Sequence, residues 1–136
     1  MMKKIILLSA LVLSGCSTTP VSPDLAKEVA VASAFKMRSG SVPVTIVRDK
    51  GIVAGACAIT SFINGEQIAN LNTGEKVVAY VEPGTVIVGA GFTGSGFCKG
   101  PAKREREFTV DMGKPKALRI FIDQNANVDI LPTTEH

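Results

Sequence analysis

From residue 42 to residue 131, apolar and polar side chains alternate in short runs separated by breaks rich in glycine, proline and asparagine. That is the period-two signature of strands with one buried face. Val42 to Arg48 is the first run, and Pro43, lacking an N–H, confines it to a sheet edge or to the start of its strand. Ala56 to Ile63 follows and stops at Asn64-Gly65, a pair suited to a two-residue hairpin, so Glu66 to Leu71 should return beside it. Asn72-Thr73-Gly74 turns into Lys76 to Glu82, and Pro83-Gly84 turns into Thr85 to Ala90. Glycine dominates residues 91 to 100, which read as a loop. Glu105 to Met112 then alternates, with Phe108, Val110 and Met112 on one face. Ala117 to Asp123 buries Leu118, Ile120 and Ile122 by the same rule, and Val128 to Leu131 closes the domain. Seven or eight short strands at this spacing predict a mainly β, antiparallel sandwich over residues 41–132, with 133–136 a disordered tail.

Ahead of residue 41 the pattern changes. Ser22-Pro23-Asp24 offers an N-cap, a proline at the first helical position and an acid in the first turn. Leu25, Val29, Ala32 and Phe35 recur at helical spacing, so a short helix near 23–36 is predicted within a helix-and-linker segment, 23–40. Ser17 to Ser22 is a Ser/Thr/Pro spacer that buries little and should form a flexible tether, residues 16–22.

The chain opens with Met1-Met2-Lys3-Lys4 and the nine-residue run Ile5 to Leu13, interrupted only by Ser9. That run is a signal-peptide h-region, too short to span ~30 Å of hydrocarbon. Leu13-Ser14-Gly15-Cys16 closes it and resembles a bacterial lipobox, which implies cleavage after residue 15 and lipidation of the Cys16 thiol. Several acyl chains, at ~0.8 kcal/mol per buried CH₂, make a firm anchor without a spanning helix. Ser17 stands where an aspartate would signal inner-membrane retention, so the expected address is the outer membrane, facing the periplasm, in a two-membrane host.

Cleavage alters the charge balance. Lys3 and Lys4 leave with residues 1–15, so the net charge falls from +3 to +1 and a nucleic-acid partner loses its support. With Cys16 lipidated, Cys57 and Cys98 remain as an even pair in an oxidising compartment, and a disulfide between them is expected. His136 is the single histidine and no C-x-x-C occurs, so a four-ligand zinc site cannot be assembled.

Four constellations carry candidate chemistry. Gly89-Ala90-Gly91-Phe92-Thr93-Gly94 matches G-x-G-x-x-G, but further glycine and Pro101 follow where a dinucleotide site needs a helix. Asp123 to Asp129 places oxygen ligands at alternate positions like half a calcium loop. Val128 occupies the glycine position and Thr134 the final glutamate, so an Asp/Asn turn accounts for it better. Lys99, Lys103, Arg104 and Arg106 form a basic cluster suited to anionic headgroups, lipopolysaccharide phosphates or peptidoglycan carboxylates. Glu105 and Glu107 interleave with it, as on a charged, exposed strand edge. Paired carboxylates at Glu105 and Glu107 lie on a wet face, and no base accompanies either mature cysteine, so no catalytic group, metal or cofactor is expected. Absence of tryptophan, with Tyr80 the single tyrosine, leaves few stacking platforms for sugars.

Ile63-Asn64-Gly65-Glu66, Leu71 with Gly74-Glu75, and Glu82-Pro83-Gly84-Thr85-Val86-Ile87-Val88 resemble the pattern of small bacterial lipoproteins carrying PEGA-like domains. The similarity covers roughly residues 42–92. It implies an immunoglobulin-like or transthyretin-like sandwich and brings no catalytic residues with it. The expected function is non-enzymatic: a lipid-anchored envelope module that binds or scaffolds, held to the membrane through Cys16 and contacting an envelope protein or peptidoglycan. Two other readings stay open. One is an accessory lipoprotein of a secretion or conjugation system, or a phage-exclusion factor; the other is a small enzyme or enzyme inhibitor.

Overall fold

A computed structural model describes residues 17–135; the stretch 1–15 expected as a signal peptide, the expected lipidation site Cys16, and His136 lie outside the described residues. The chain is mainly β, and nine strands among the described residues form two sheets. They are β1 (Lys27–Glu28), β2 (Val42–Arg48), β3 (Ile59–Ile63), β4 (Glu66–Leu71), β5 (Glu75–Val81), β6 (Gly84–Gly91), β7 (Arg104–Val110), β8 (Lys116–Ile122) and β9 (Val128–Pro132). One sheet has the order β1-β5-β2-β8-β9 and the other β4-β3-β6-β7. Between them lies one apolar core, with Val44, Ile46, Val77, Leu118 and Ile120 from the first sheet facing Ile59, Ile63, Val86 and Val88 from the second. Alternation along β5 and β8 places every second residue there.

The pairing departs from an all-antiparallel sandwich at two places. β2 runs parallel to β8, and β1 parallel to β5. Pro43 sits near the start of its strand: it lies opposite Tyr80 of β5, while pairing with β8 begins only at Val44. The Asn64-Gly65 hairpin forms as its residues dictate, with φ of 49° and 80°. Asn64 also accepts from the Ile87 N–H through Oδ1 at 3.0 Å and donates to Ile87 O, tying the turn to β6. Met112 leaves the predicted alternation, because β7 ends at Val110 and Asp111 to Lys114 turns; Met112 is exposed.

The expected N-terminal helix near 23–36 is not formed. Ser22 O accepts from Leu25 and Ala26, so the capping residues build a turn. Leu25 faces solvent, while Val29 and Val31 both pack on the core, a spacing of two that belongs to extended chain. Val29 donates to Lys76 O on β5 and Ala32 donates to Ile68 O on β4. This strap therefore covers the open edges of both sheets on one side, a gain that a helix would forgo. On the opposite side, where β7 and β9 form the edges, arginines of one bridge to a carboxylate of the other.

Residues 17–22, expected as a mobile spacer, are instead stitched to the body. Thr18 is buried; its N–H donates to Ile122 O at 3.1 Å, and its Oγ1 donates to Asp49 Oδ2 at 2.9 Å and accepts from Ile122 N at 3.0 Å. Thr19 and Lys50 exchange both backbone hydrogen bonds, and Val21 packs on Val47. Gly51, at φ 151°, makes this approach feasible, since a Cβ there would lie 2.9 Å from Thr18 Cγ2. Thr18→Val keeps the shape and removes the hydroxyl. We expect it to cost about 1–3 kcal/mol in urea unfolding and to open residues 17–21 to limited proteolysis. A change under ~0.5 kcal/mol would place this network outside the cooperative fold.

Candidate functional site

Strand directions gather the chemistry-bearing residues at one pole. β2, β4, β6 and β8 end there, and β3, β5, β7 and β9 begin there. The pole therefore carries the loops 49–58, 92–103 and 123–127, together with the start of the described chain at residues 17–19.

Cys57 and Cys98 are joined by a disulfide across this pole, with Cα atoms 5.4 Å apart. It staples the loop after β2 to the loop after β6. Gly94 permits the compact turn before Cys98, since a Cβ at Gly94 would lie 2.9 Å from Cys98 Cβ. The G-x-G-x-x-G stretch divides between two elements: Gly89 and Gly91 belong to β6, and the loop that follows holds a 3₁₀ turn at Gly96–Cys98, with no α-helix to receive a pyrophosphate.

Beneath the stapled loops lie two buried charges, Arg48 and Asp49, that no local sequence motif marks. Asp49 and Arg119 form a two-pronged ion pair, Arg119 Nε donating to Asp49 Oδ1 at 2.9 Å and Nη2 to Oδ2. Asp49 is 1% exposed, so this pair and Thr18 make a single polar knot between the first described residues, the end of β2 and β8. Arg48, also 1% exposed, points the other way. It donates through Nη1 to Cys57 O at 2.6 Å and Leu71 O at 2.8 Å, and through Nη2 to Ala54 O at 3.1 Å. Burial pulls its guanidinium below the ordinary value, and nearby Glu75 partly offsets this.

The four bases singled out by sequence are mostly committed to acids. Arg106 holds Asp129 with two hydrogen bonds, at 2.6 and 2.8 Å, and Arg104 reaches the same carboxylate at 3.6 Å. Lys103 lies 3.7 Å from Glu105 and 5.3 Å from the centroid of Phe62. Lys99 is exposed and has no ion-pair partner among the described residues. Arg104 and Arg106, two apart on β7, thus act as a clamp from one sheet edge to the other, and the cluster is no continuous free patch.

A cleft of about 400 Å³ opens beside this clamp, lined in part by Phe92, Arg104, Phe121, Asp123 and Asp129. Both carboxylates are occupied. Hydrogen bonds from Arg106 hold Asp129 below the usual carboxylate range, aided by the Ile130 N–H and opposed by burial. Asp123 is likewise lowered by the Asn127 backbone and side chain and by Asn125 N–H, which close a turn with Ala126 at φ 62°. The oxygens that resembled a calcium half-loop therefore serve this Asx-type turn. Acids held charged well below neutrality are poorly matched to proton transfer near pH 7.

Both depressions make a stability prediction. A folded-state value below the unfolded ~3.9 stabilises the fold at higher pH, and that contribution disappears as pH falls through the folded-state value. The melting temperature should accordingly be flat from pH 7 to about 4.5 and fall below about 4. An Asp123→Asn, Asp129→Asn double variant should lose part of that acid-side slope. An unchanged slope in thermal scans would remove these two carboxylates from the acid response.

Comparison with family models, with curated proteins and with solved structures finds no match to the chain. Among the described residues no helix is long and apolar enough to cross a membrane, and no group of three or more His, Cys, Asp and Glu side chains is placed to hold a metal ion.

Proposed function

We propose that this chain is a lipid-anchored envelope module that binds or scaffolds rather than catalyses, tethered through acyl chains on Cys16 in the outer membrane and facing the periplasm. The observation that supports this most is the meeting of two features. Leu13-Ser14-Gly15-Cys16 has the lipobox pattern, and the folded body begins only two residues later, at buried Thr18. The two-sheet arrangement with the Asn64-Gly65 hairpin and Pro83-Gly84 turn is compatible with an immunoglobulin-like or transthyretin-like domain of the PEGA-like kind. Such sandwiches offer faces and loops for protein contact, and the committed carboxylates at the pole favour recognition over acid–base chemistry. The partner on this reading is an envelope protein or the cell wall.

Crosslinking in intact cells, with the native chain as bait and Cys16→Ser as control, tests it. A discrete crosslinked protein, lost in the control and co-fractionating with the outer membrane, is expected. Recovery of the native chain from the soluble fraction, with unacylated Cys16 by intact mass, would overturn the anchored reading.

A further inference from the structure

Two nearly naked apolar side chains occupy the pole at which the described chain begins. Ile52 is 88% exposed and Phe97 is 96% exposed. Ile52 follows Gly51, which is in contact with Thr18; Phe97 precedes Cys98, whose disulfide fixes the second loop to the first. Phe97 and Lys99 also share a small cavity with Ala54, Asn125 and Ala126, so the 123–127 turn abuts the same loops. Each apolar residue has a lysine two positions away: Lys50 beside Ile52, and Lys99 beside Phe97. Both lysines are exposed and neither is ion-paired among the described residues. The acids at this pole are engaged, Asp49 by Arg119, Glu75 by Asn72 N–H, Asp123 by its own turn and Asp129 by Arg106.

We infer that this pole is a membrane-contacting tip, with Ile52 and Phe97 inserted at the headgroup–acyl boundary of a phospholipid bilayer and Lys50 and Lys99 at its phosphates. The inference rests on lipidation of Cys16. Two residues of chain reach at most ~7 Å, so an acylated Cys16 holds Thr18, and with it Gly51 and Ile52, at the bilayer surface. A side chain as exposed as Phe97 on a fixed loop is costly in water and favourable in the interface, where aromatic and basic residues collect. Domains hung from a flexible tether choose no orientation. Here the stitched residues 17–21 and the stapled loops impose one, placing the sandwich end-on and leaving the far pole, with Met112 and the Pro83-Gly84 turn, toward any partner.

The chain contains no tryptophan, so single reporters are clean. Ile52→Trp, Phe97→Trp and Met112→Trp variants of the full acylated protein would be reconstituted in phosphatidylethanolamine/phosphatidylglycerol vesicles carrying shallowly brominated acyl chains. The reporters at 52 and 97 should emit to the blue of that at 112 and lose at least half their intensity to bromine, while that at 112 loses little. All three positions are exposed, so folding should be undisturbed, with melting temperatures matching the parent. Acylated protein in which positions 52 and 97 are as red and unquenched as 112 would overturn the tip while leaving the anchor intact. Blue emission insensitive to bromine would place these side chains against protein and also overturn it. An unacylated Cys16 by intact mass would overturn the anchor itself, and the tip with it.

Discussion

Arg48→Met should destabilise the protein by about 3–5 kcal/mol in urea unfolding, a large share of what a single small domain possesses. Arg48 lies at the end of β2 with its guanidinium inside the body, where it donates to the carbonyls of Ala54, Cys57 and Leu71. Those three acceptors come from the loop after β2 and the end of β4; Ala54 O also accepts from Cys57 N–H, closing a turn within that loop. Methionine matches the aliphatic stem but supplies no donor, so each of the three carbonyls loses a charge-assisted hydrogen bond, at roughly 1–3 kcal/mol apiece, and Ala54 O keeps only its bond from Cys57 N–H. Removing a desolvated cation returns part of that loss, and this keeps the expected value well below the sum. Arg48→Lys should recover little, because a compact ammonium cannot span three carbonyls arranged for a planar fork. A loss under about 1 kcal/mol for the methionine variant would mean the loop carbonyls are already served by solvent.

What the sequence displayed and what it concealed follow from how each element is specified. β4, β5, β6 and β8 were legible because alternation and turn chemistry are local: Asn64-Gly65 needs positive φ, and Leu118, Ile120 and Ile122 need one face. The parallel union of β2 with β8 was not, since it is decided by which buried faces meet across some seventy residues and by no local signal. The N-terminal strap carries a helical signal because Leu25, Val29 and Ala32 satisfy a helical period, yet Val29 and Val31 pack on the core and the strap covers the sheet edges. The polar knot was hidden in plain view. Arg48-Asp49-Lys50 resembles a solvated strand end, and Arg119 an outward residue between Leu118 and Ile120. Only three dimensions bring Thr18, Asp49 and Arg119 together, over separations of 31 and 70 residues. A clue was available: Val47-Arg48-Asp49 continues an apolar run into adjacent opposite charges before the first turn-forming residue, Gly51, is reached.

Removal of the Cys57–Cys98 bridge, by reduction or by the Cys57→Ser, Cys98→Ser pair, should cost about 4 kcal/mol on the chain-entropy account, given the 41-residue separation. For a body of this size that corresponds to a fall of roughly 10–20 °C in melting temperature. The bridge closes a loop containing β3, β4, β5 and β6, so the unfolded chain recovers the freedom of four strands when it is cut. A local effect adds to the global one. Arg48 grips the carbonyls of Ala54 and Cys57, so the bridge and the guanidinium secure the same stretch of that loop. Combining Arg48→Met with the double serine variant should therefore be less than additive, with a coupling of about 0.5–3 kcal/mol. In the reduced protein, proteases should cut within 51–57 or 94–100 well before they reach a strand. Additive losses would mean that each fastening stabilises a different segment. Two reactive thiols in protein folded in an oxidising compartment, or a melting temperature indifferent to reductant, would show that the bridge contributes nothing to the working fold. The pole would then lack the rigidity that an end-on seat on a membrane requires.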